Sequence, residues 1–253
     1  MKTQKKQKFT LYLLGLISLL GLWQLLASQI STMVLASPIQ TLLRLFELIK
    51  AATFWQQLFI TLVRLFYALT LACFIGFVLG YIAGRHAWLK FYLAPFRWVL
   101  MSVPPVIVVL IAMLWFGMGS TMVVFITVLL LAPTIYINTQ KAVEQIDNHW
   151  FELAQVYRFS LYQRFSKIYI PAISAPLCAT LIIVCCNGVR IVVLAEVLGA
   201  HQGVGFELAN ASSNFDSAEL YVWVMVSLLI VAFMELVLLR PVQNYLLRWR
   251  EFS

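Results

Sequence analysis

Four charged residues stand inside otherwise apolar stretches of this 253-residue chain: Arg64, Arg190, Glu196 and Glu235. If those stretches cross a bilayer, each charge costs about 2.5–3.5 kcal/mol on insertion scales, and such residues mark substrate paths, proton relays or internal ion pairs. Arg190 precedes Glu196 by six residues, an advance of about 600° on a helix, so the two lie about 120° apart and each needs another partner or water. Two readings of Arg190 stand. A guanidinium facing a pore would favour an anionic cargo; a structural ion pair with Glu235 is the alternative. Arg64 either serves a site or snorkels to the surface, and Glu235 has the position of a structural partner for a neighbouring helix. Pro104 and Pro105 interrupt a further apolar stretch, either freeing carbonyls for a solute or simply kinking a helix. Arg190, Glu196, Pro104 and Pro105 are the candidates for lining a translocation path.

A second constellation lies between Gln140 and Pro171, about 30 residues that are long for a connection in a compact protein. Leu153, Val156 and Tyr157 repeat at helical spacing, and Phe165, Ile168 and Tyr169 repeat again, which predicts two short helices meeting near Ser160. Charges of both signs on such a helix–turn–helix suit docking into a cleft of a partner protein; lying on a membrane surface is the alternative. His86, His149 and His201 are far apart and receive no chemistry. The four cysteines, Cys73, Cys178, Cys185 and Cys186, sit in apolar runs, and adjacent residues diverge on a helix, so neither disulfide nor metal framework is indicated. An embedded enzyme needs acid, base or nucleophile groups gathered at one depth, and the sequence offers isolated ones. Nothing reads G-x-x-x-x-G-K-[ST], so ATP is expected to bind elsewhere.

The elements that position these residues follow from composition. Hydrophobic residues make up 62% and charged residues only 11%, which does not fit a water-solvated surface. Phe9–Leu43, Trp98–Gln140 and Ile168–Val189 carry no charge at all, and a bilayer crossing needs about 20 such residues. The expected class is an all-α, polytopic membrane protein with about six spans, at 9–28, 58–83, 97–116, 121–140, 172–198 and 221–240. Fourteen of the eighteen Lys and Arg residues fall in four clusters: Lys2 to Lys8; Arg85, Lys90 and Arg97; Lys141, Arg158, Arg164 and Lys167; and Arg240, Arg248 and Arg250. These occupy every second connection, which puts both termini in the cytoplasm. A nucleic-acid face would instead concentrate charge on one soluble module. The first apolar stretch reads as an uncleaved helix rather than a signal peptide, being long and lacking an A-x-A site. Residues 1–36 form a tail and first span, and 37–253 the core. Ser37–Lys50 has the pattern of a short amphipathic surface helix, Gly117–Ser120 that of a tight external turn, and Gly199–Glu219 that of a long polar outer loop.

Glu152-Leu153-Ala154 followed by Ile168-Tyr169-Ile170-Pro171 resembles the EAA loop of binding-protein-dependent ABC importer permeases, in which Glu-Ala-Ala, a Gly and a hydrophobic-x-Leu-Pro ending span twenty residues. Thr61-Leu62-Val63-Arg64 with Gly76, Gly80 and Gly84, then Pro104-Pro105 with Trp115-Phe116-Gly117, Ala195-Glu196 with Gly203-Val204-Gly205, and Arg248-Trp249 extend the likeness over residues 37–250. The group resembled is that of nitrate, sulfonate, taurine and bicarbonate permeases. Three positions depart from it: the loop Gly is Arg158, a second proline before Trp-Phe-Gly is Leu110, and the usual Gly-Leu-Arg is Thr180-Leu181-Ile182. The resemblance implies a type I (MetI-like) permease core in the bacterial inner membrane, a homodimer or pair of related permeases, two cytoplasmic ATPase subunits holding ATP and Mg, and an external solute-binding protein. It further implies that Glu152, Ala154, Arg158, Ser160 and Pro171 couple to the ATPase, and that the cargo is a small anion such as a sulfonate, nitrate or bicarbonate, or a vitamin-precursor-like solute. The rival reading is a stand-alone carrier or channel driven by an ion gradient, which would show an internal repeat and midplane carboxylates.

Overall fold

The computed structural model describes residues 2–32 and 34–239, and all regular structure among them is helical. The basic cluster Arg240, Arg248 and Arg250, with the Arg248-Trp249 tail, lies outside the described residues. In lipid every backbone N–H must find its acceptor within the segment, so uncharged runs of this length become helices. Helices α1 (Lys2–Gln29), α2 (Pro38–Leu48), α3 (Ala52–Arg85), α4 (Ala87–Ser102), α5 (Pro105–Phe116), α6 (Ser120–Glu144), α7 (Asn148–Val156), α8 (Leu161–Arg164), α9 (Ile170–Gly199), α10 (Val204–Ser213) and α11 (Ser217–Phe233) follow in order. A π-helical turn, Phe165–Tyr169, joins α8 to α9, and a second, Met234–Leu239, extends α11. Among the described residues, four helical stretches are long and apolar enough to cross a membrane: Ala52–Arg85, Ser120–Glu144, Leu161–Gly199 and Ser217–Leu236. The first expected span falls within α1.

The centre of the fold is the contact of α3 with α6. Gly76, Gly80 and Gly84 put a bare backbone edge against α6: a Cβ on Gly80 would stand 2.6 Å from the Tyr136 carbonyl oxygen, and one on Gly76 2.8 Å from that of Ala132. Small residues at every fourth position let two helices approach this closely. Gly76 meets Ala132 and Ile135, Gly80 meets Tyr136 and Thr139, and Gly84 meets Gln140 and Val143, so the two helices run parallel. The chain must therefore return across the same thickness between them. It does so on α4 and α5, which are bent by 101° at a short break.

The interruption expected within the span at 97–116 is thus a sharp bend, and the first leg begins earlier, at Ala87. Val103, ahead of a proline, takes extended dihedrals (φ −73°, ψ 128°), while Pro104 caps α5 and Pro105 opens it. Proline disfavours helix in the residue before it and is well placed at a first helical position. The Pro104 carbonyl accepts from Ile107 N at 3.0 Å, so it serves α5 itself. With 12 residues, α5 is about 18 Å long, too short to cross alone.

Helix α9 closes the bundle, packing Val184, Val189 and Val192 against Leu65 and Leu69 of α3 and Ile126 and Leu131 of α6. From α11, Trp223, Val226 and Ile230 join this core, and Trp223 stacks on Phe54 of α3 with ring centroids 5.2 Å apart. The fifth span is longer than expected, because α8, the π-helical turn and α9 form one continuous stretch from Leu161 to Gly199. Pro171 explains the π turn. A proline cannot donate to the residue four before it and its ring clashes there; widening the preceding turn, with Ile170 N donating to Phe165 O, accommodates the ring without a break.

At the end of the bundle where α3 and α6 begin, α2 is the expected amphipathic helix. Ser37 and Gln40 cap it reciprocally at 3.2 and 3.0 Å. Arg44 ties it to the start of α11, reaching Glu219 at 2.9 Å and Asp216 at 3.6 Å, besides Glu47 at 3.0 Å. The loop expected at Gly199–Glu219 carries a helix of its own, α10, which the polar composition of that stretch concealed.

Candidate functional site

Two sites emerge at opposite ends of the bundle. At the end where α10 sits, Arg64 and Glu196 form a buried ion pair, with Nη1 2.7 Å from Oε1 and the side chains 5% and 0% exposed. Arg64 also donates to Ser120 Oγ at 2.9 Å and to the Gln202 carbonyl at 2.6 Å. Thr61 Oγ lies 2.9 Å from both Glu196 oxygens and accepts from Val204 N at 2.8 Å, while Gly205 N donates to Glu196 at 2.9 Å. One carboxylate thereby gathers α3, α9 and the N-terminus of α10, and the guanidinium adds the start of α6.

Glycine is required here. Gly203 has φ +112°, and a Cβ on it would run into the Glu196 carboxylate; one on Gly205 would run into the Val193 carbonyl. Gln57 completes the arrangement, accepting from Gly203 N at 2.6 Å and donating to Glu207 at 2.8 Å. The pairing of Arg64 with Glu196 was not anticipated. Its signal was available: two lone opposite charges, each toward the same end of its span.

Glu207, on α10 and outside the membrane-crossing stretches, has its pKa raised above the usual carboxylate value, first by burial and then by the nearby Glu219 charge. For a carboxyl raised on folding, stability is full below the unfolded pKa and is lost as pH rises through the folded one. Glu207→Gln, which keeps an acceptor for Gln57, is therefore expected to raise the thermal midpoint at neutral pH. The gain should close as pH falls from the raised pKa toward the ordinary carboxylate value, and thermal melts in detergent across that window check it.

Of the expected path candidates, Glu196 is thus enclosed between helices. Arg190 is exposed on α9, on the side opposite the buried residues Gly188, Val192 and Ala195. Arg190 and Glu235 both lie within electrostatic range of Cys186. Pro104 and Pro105 form the break between α4 and α5. Among the described residues, no group of three His, Cys, Asp or Glu side chains is placed to hold a metal ion.

At the opposite end, the segment between α6 and α9 folds as the two helical pieces expected to meet near Ser160. Asp147 caps α7, accepting from His149 N at 3.0 Å. Ser160 caps α8 in a reciprocal pair with Gln163, at 3.3 and 2.9 Å. Between them α7 ends on a paired closure: Phe159 N donates to Ala154 O at 2.8 Å and Arg158 N to Gln155 O at 3.1 Å. That closure needs a left-handed residue just past the helix, a place usually taken by glycine. Arg158 fills it at φ +51°. The backbone turn that the resemblance assigns to glycine is therefore present with a charged side chain on it, at a cost of about 1–2 kcal/mol.

Ala154 is 1% exposed, while Glu152 is open to solvent, 3.4 Å from His149 Nδ1. Around Glu152 the loop exposes Trp150, Leu153, Val156, Tyr157, Leu161 and Tyr162. Exposed apolar side chains on a polar loop suit contact with a partner protein or a membrane surface.

Comparison with known proteins gives three results. The family described as "Binding-protein-dependent transport system inner membrane component" matches residues 74–249. The chain is 26% identical to SsuC of Bacillus subtilis (strain 168), a permease named for aliphatic sulfonates transport, over 92% of this chain and 84% of that protein. It is 25% identical to the taurine transport system permease protein TauC of Escherichia coli (strain K12), over 96% and 90% of the respective chains. A chain of the inward-facing MetNI methionine ABC transporter superposes with a TM-score of 0.57 at 18% identity, covering 74% of this chain and 93% of that one, a likeness of fold.

Proposed function

This chain belongs to the binding-protein-dependent transport system inner membrane component family, and from that premise we propose how its two ends divide the work. It is a multi-pass inner-membrane permease subunit of an ABC importer and not itself an ATPase. In our reading α7 and α8 face the cytoplasm and seat in a groove of the ATPase partner. The observation that carries this is the capped helix pair with exposed apolar side chains. Ala154 is buried and its carbonyl closes α7 by accepting from Phe159 N, Arg158 and Ser160 set the angle between the pieces, and the π turn before Pro171 fuses α8 to the crossing helix α9. A pull on the loop then reaches the membrane as motion of a continuous element with discrete positions, which coupling requires. Magnesium and ATP belong to the partner subunits.

The translocation path forms where two permease copies meet, with Arg190 on it. A charge exposed on the outer side of a crossing helix is costly against lipid, and such charges face water-filled cavities or bundle interiors. Arg190 then favours an anionic cargo, as the names of the sulfonate and taurine relatives support. Glu196 works instead as a tie among the helices, and the Pro104–Pro105 break supplies a bend between the legs of one crossing.

The test is uptake in proteoliposomes with the ATPase and binding protein present. Arg190→Gln removes a charge-assisted contact worth about 1.5–3 kcal/mol, so half-maximal uptake of a sulfonate or nitrate should need roughly tenfold or more cargo, with assembly intact. Unchanged uptake of every anion offered would remove Arg190 from the path. Absence of any bound ATPase after mild extraction would remove the wider reading.

A further inference from the structure

The connection from α10 to α11 holds a residue whose placement the fold does not explain. Phe215 is 80% exposed and sits at φ +56°, left-handed backbone that is strained for a residue with a side chain. Helix α10 closes as α7 does, with Asp216 N donating to Ala211 O at 3.0 Å and Phe215 N to Ser212 O at 3.2 Å, so a glycine at 215 would make the same turn without the cost. The ring is left largely open by the described residues. Its neighbours are polar or charged: Ser212, Ser213 and Asn214 are exposed, Asp216 follows, and the single cation Arg44 is shared by Asp216, Glu47 and Glu219, which leaves the group net acidic.

We propose that Phe215 is the aromatic anchor by which the external solute-binding protein docks, seated in an apolar pocket of that protein rimmed by basic residues. This rests on the importer reading above, whose family takes its description from dependence on a binding protein. The acidic surroundings favour such a partner over insertion among anionic lipid headgroups, which would be repelled. Exposed aromatic residues that fill a partner's pocket carry a disproportionate share of binding energy. The anchor is also mechanically connected. Helix α10 is held through Gln57, Glu207 and the Arg64–Glu196 pair to α3, α6 and α9, so a partner gripping the end of α10 acts directly on the crossing helices.

The experiment compares wild type with Phe215→Gly in nanodiscs, assembled with the ATPase, reading basal hydrolysis, stimulation by cargo-loaded binding protein, and thermal stability. The expected result is unchanged basal hydrolysis, an equal or higher melting midpoint because strain is relieved, and at least a tenfold higher binding-protein concentration for half-maximal stimulation. Wild-type half-stimulation should also shift to higher binding-protein concentration as salt is raised, reflecting the acidic rim. Stimulation unaltered by Phe215→Gly overturns the proposal, as does a stimulation loss matched by a fall in midpoint, the mark of a structural role. A midpoint that drops only in anionic lipid, with stimulation preserved, assigns the ring to the headgroup layer and equally overturns it. Wild-type complex that never responds to binding protein would count against the importer reading instead.

Discussion

Arg64→Leu should destabilise the folded protein by about 3–5 kcal/mol, because it strands the fully buried Glu196 carboxylate without its counter-charge. The pair is buried on both sides, and among the described residues Glu196 keeps the Thr61 hydroxyl and the Gly205 N–H once the guanidinium is gone. The Gln202 carbonyl and Ser120 Oγ lose a donor at the same time. Arg64→Lys should fall between, since an ammonium carries the charge but not the fork that reaches three acceptors at once. The double variant Arg64→Leu, Glu196→Leu should recover a large part of the loss, as apolar replacement of a whole buried pair is often close to neutral. Urea or thermal unfolding in detergent measures all three. A loss below 1 kcal/mol for Arg64→Leu would show that the carboxylate has access to water, and the description of this site as an enclosed tie would fail.

Reversing one charge at the other end should leave the fold alone and stop transport. Glu152 is exposed and its nearest partner, His149, is exposed as well, so Glu152→Lys disturbs little within the chain; surface substitutions of this kind usually change stability by less than about 0.5 kcal/mol. If α7 seats in the ATPase, the new lysine places the wrong sign inside a desolvated joint, where like-charge contacts cost several kcal/mol. Co-purification of the ATPase and cargo uptake should both be lost, with membrane insertion and melting midpoint unchanged. Normal uptake by this variant would remove α7 from the coupling surface. Arg158 sharpens the comparison. Arg158→Gly keeps the closing turn and relieves its strain, so any transport defect in that variant would report a contact of the guanidinium itself.

The repeated loss of polar residues made the helices legible. Charge-free runs in a chain 62% hydrophobic leave the backbone no acceptor but its own, and basic clusters between alternate runs set their order. The two helical pieces between Gln140 and Pro171 were legible too, because Leu153, Val156, Tyr157 and Ser160 carry helical spacing and a cap within a dozen residues, and such local signals survive without tertiary context. What misled was also local in origin. Pro104-Pro105 reads as a kink or a break with equal ease, since the dihedrals before proline are restricted but the bend angle depends on what the two legs pack against. The polar stretch after Gly199 reads as a loop, yet Gln57, Thr61 and Glu196 supply partners for its first N–H groups, and α10 forms on them.

By itself the sequence determined that this protein lives in lipid, that it is helical, which of its connections are basic, and that the patterned segment between Gln140 and Pro171 forms two short helical pieces. Those properties depend on residues within one or two turns of each other, where the periodicity of side chains and the demand for internal hydrogen bonds act. Only the tertiary structure decided that α3 and α6 run parallel on a stripe of glycines, that the return between them is broken at Pro104, and that Arg64 meets Glu196. Each of those depends on distance between residues far apart in the chain, which close packing of backbones sets and no local pattern encodes.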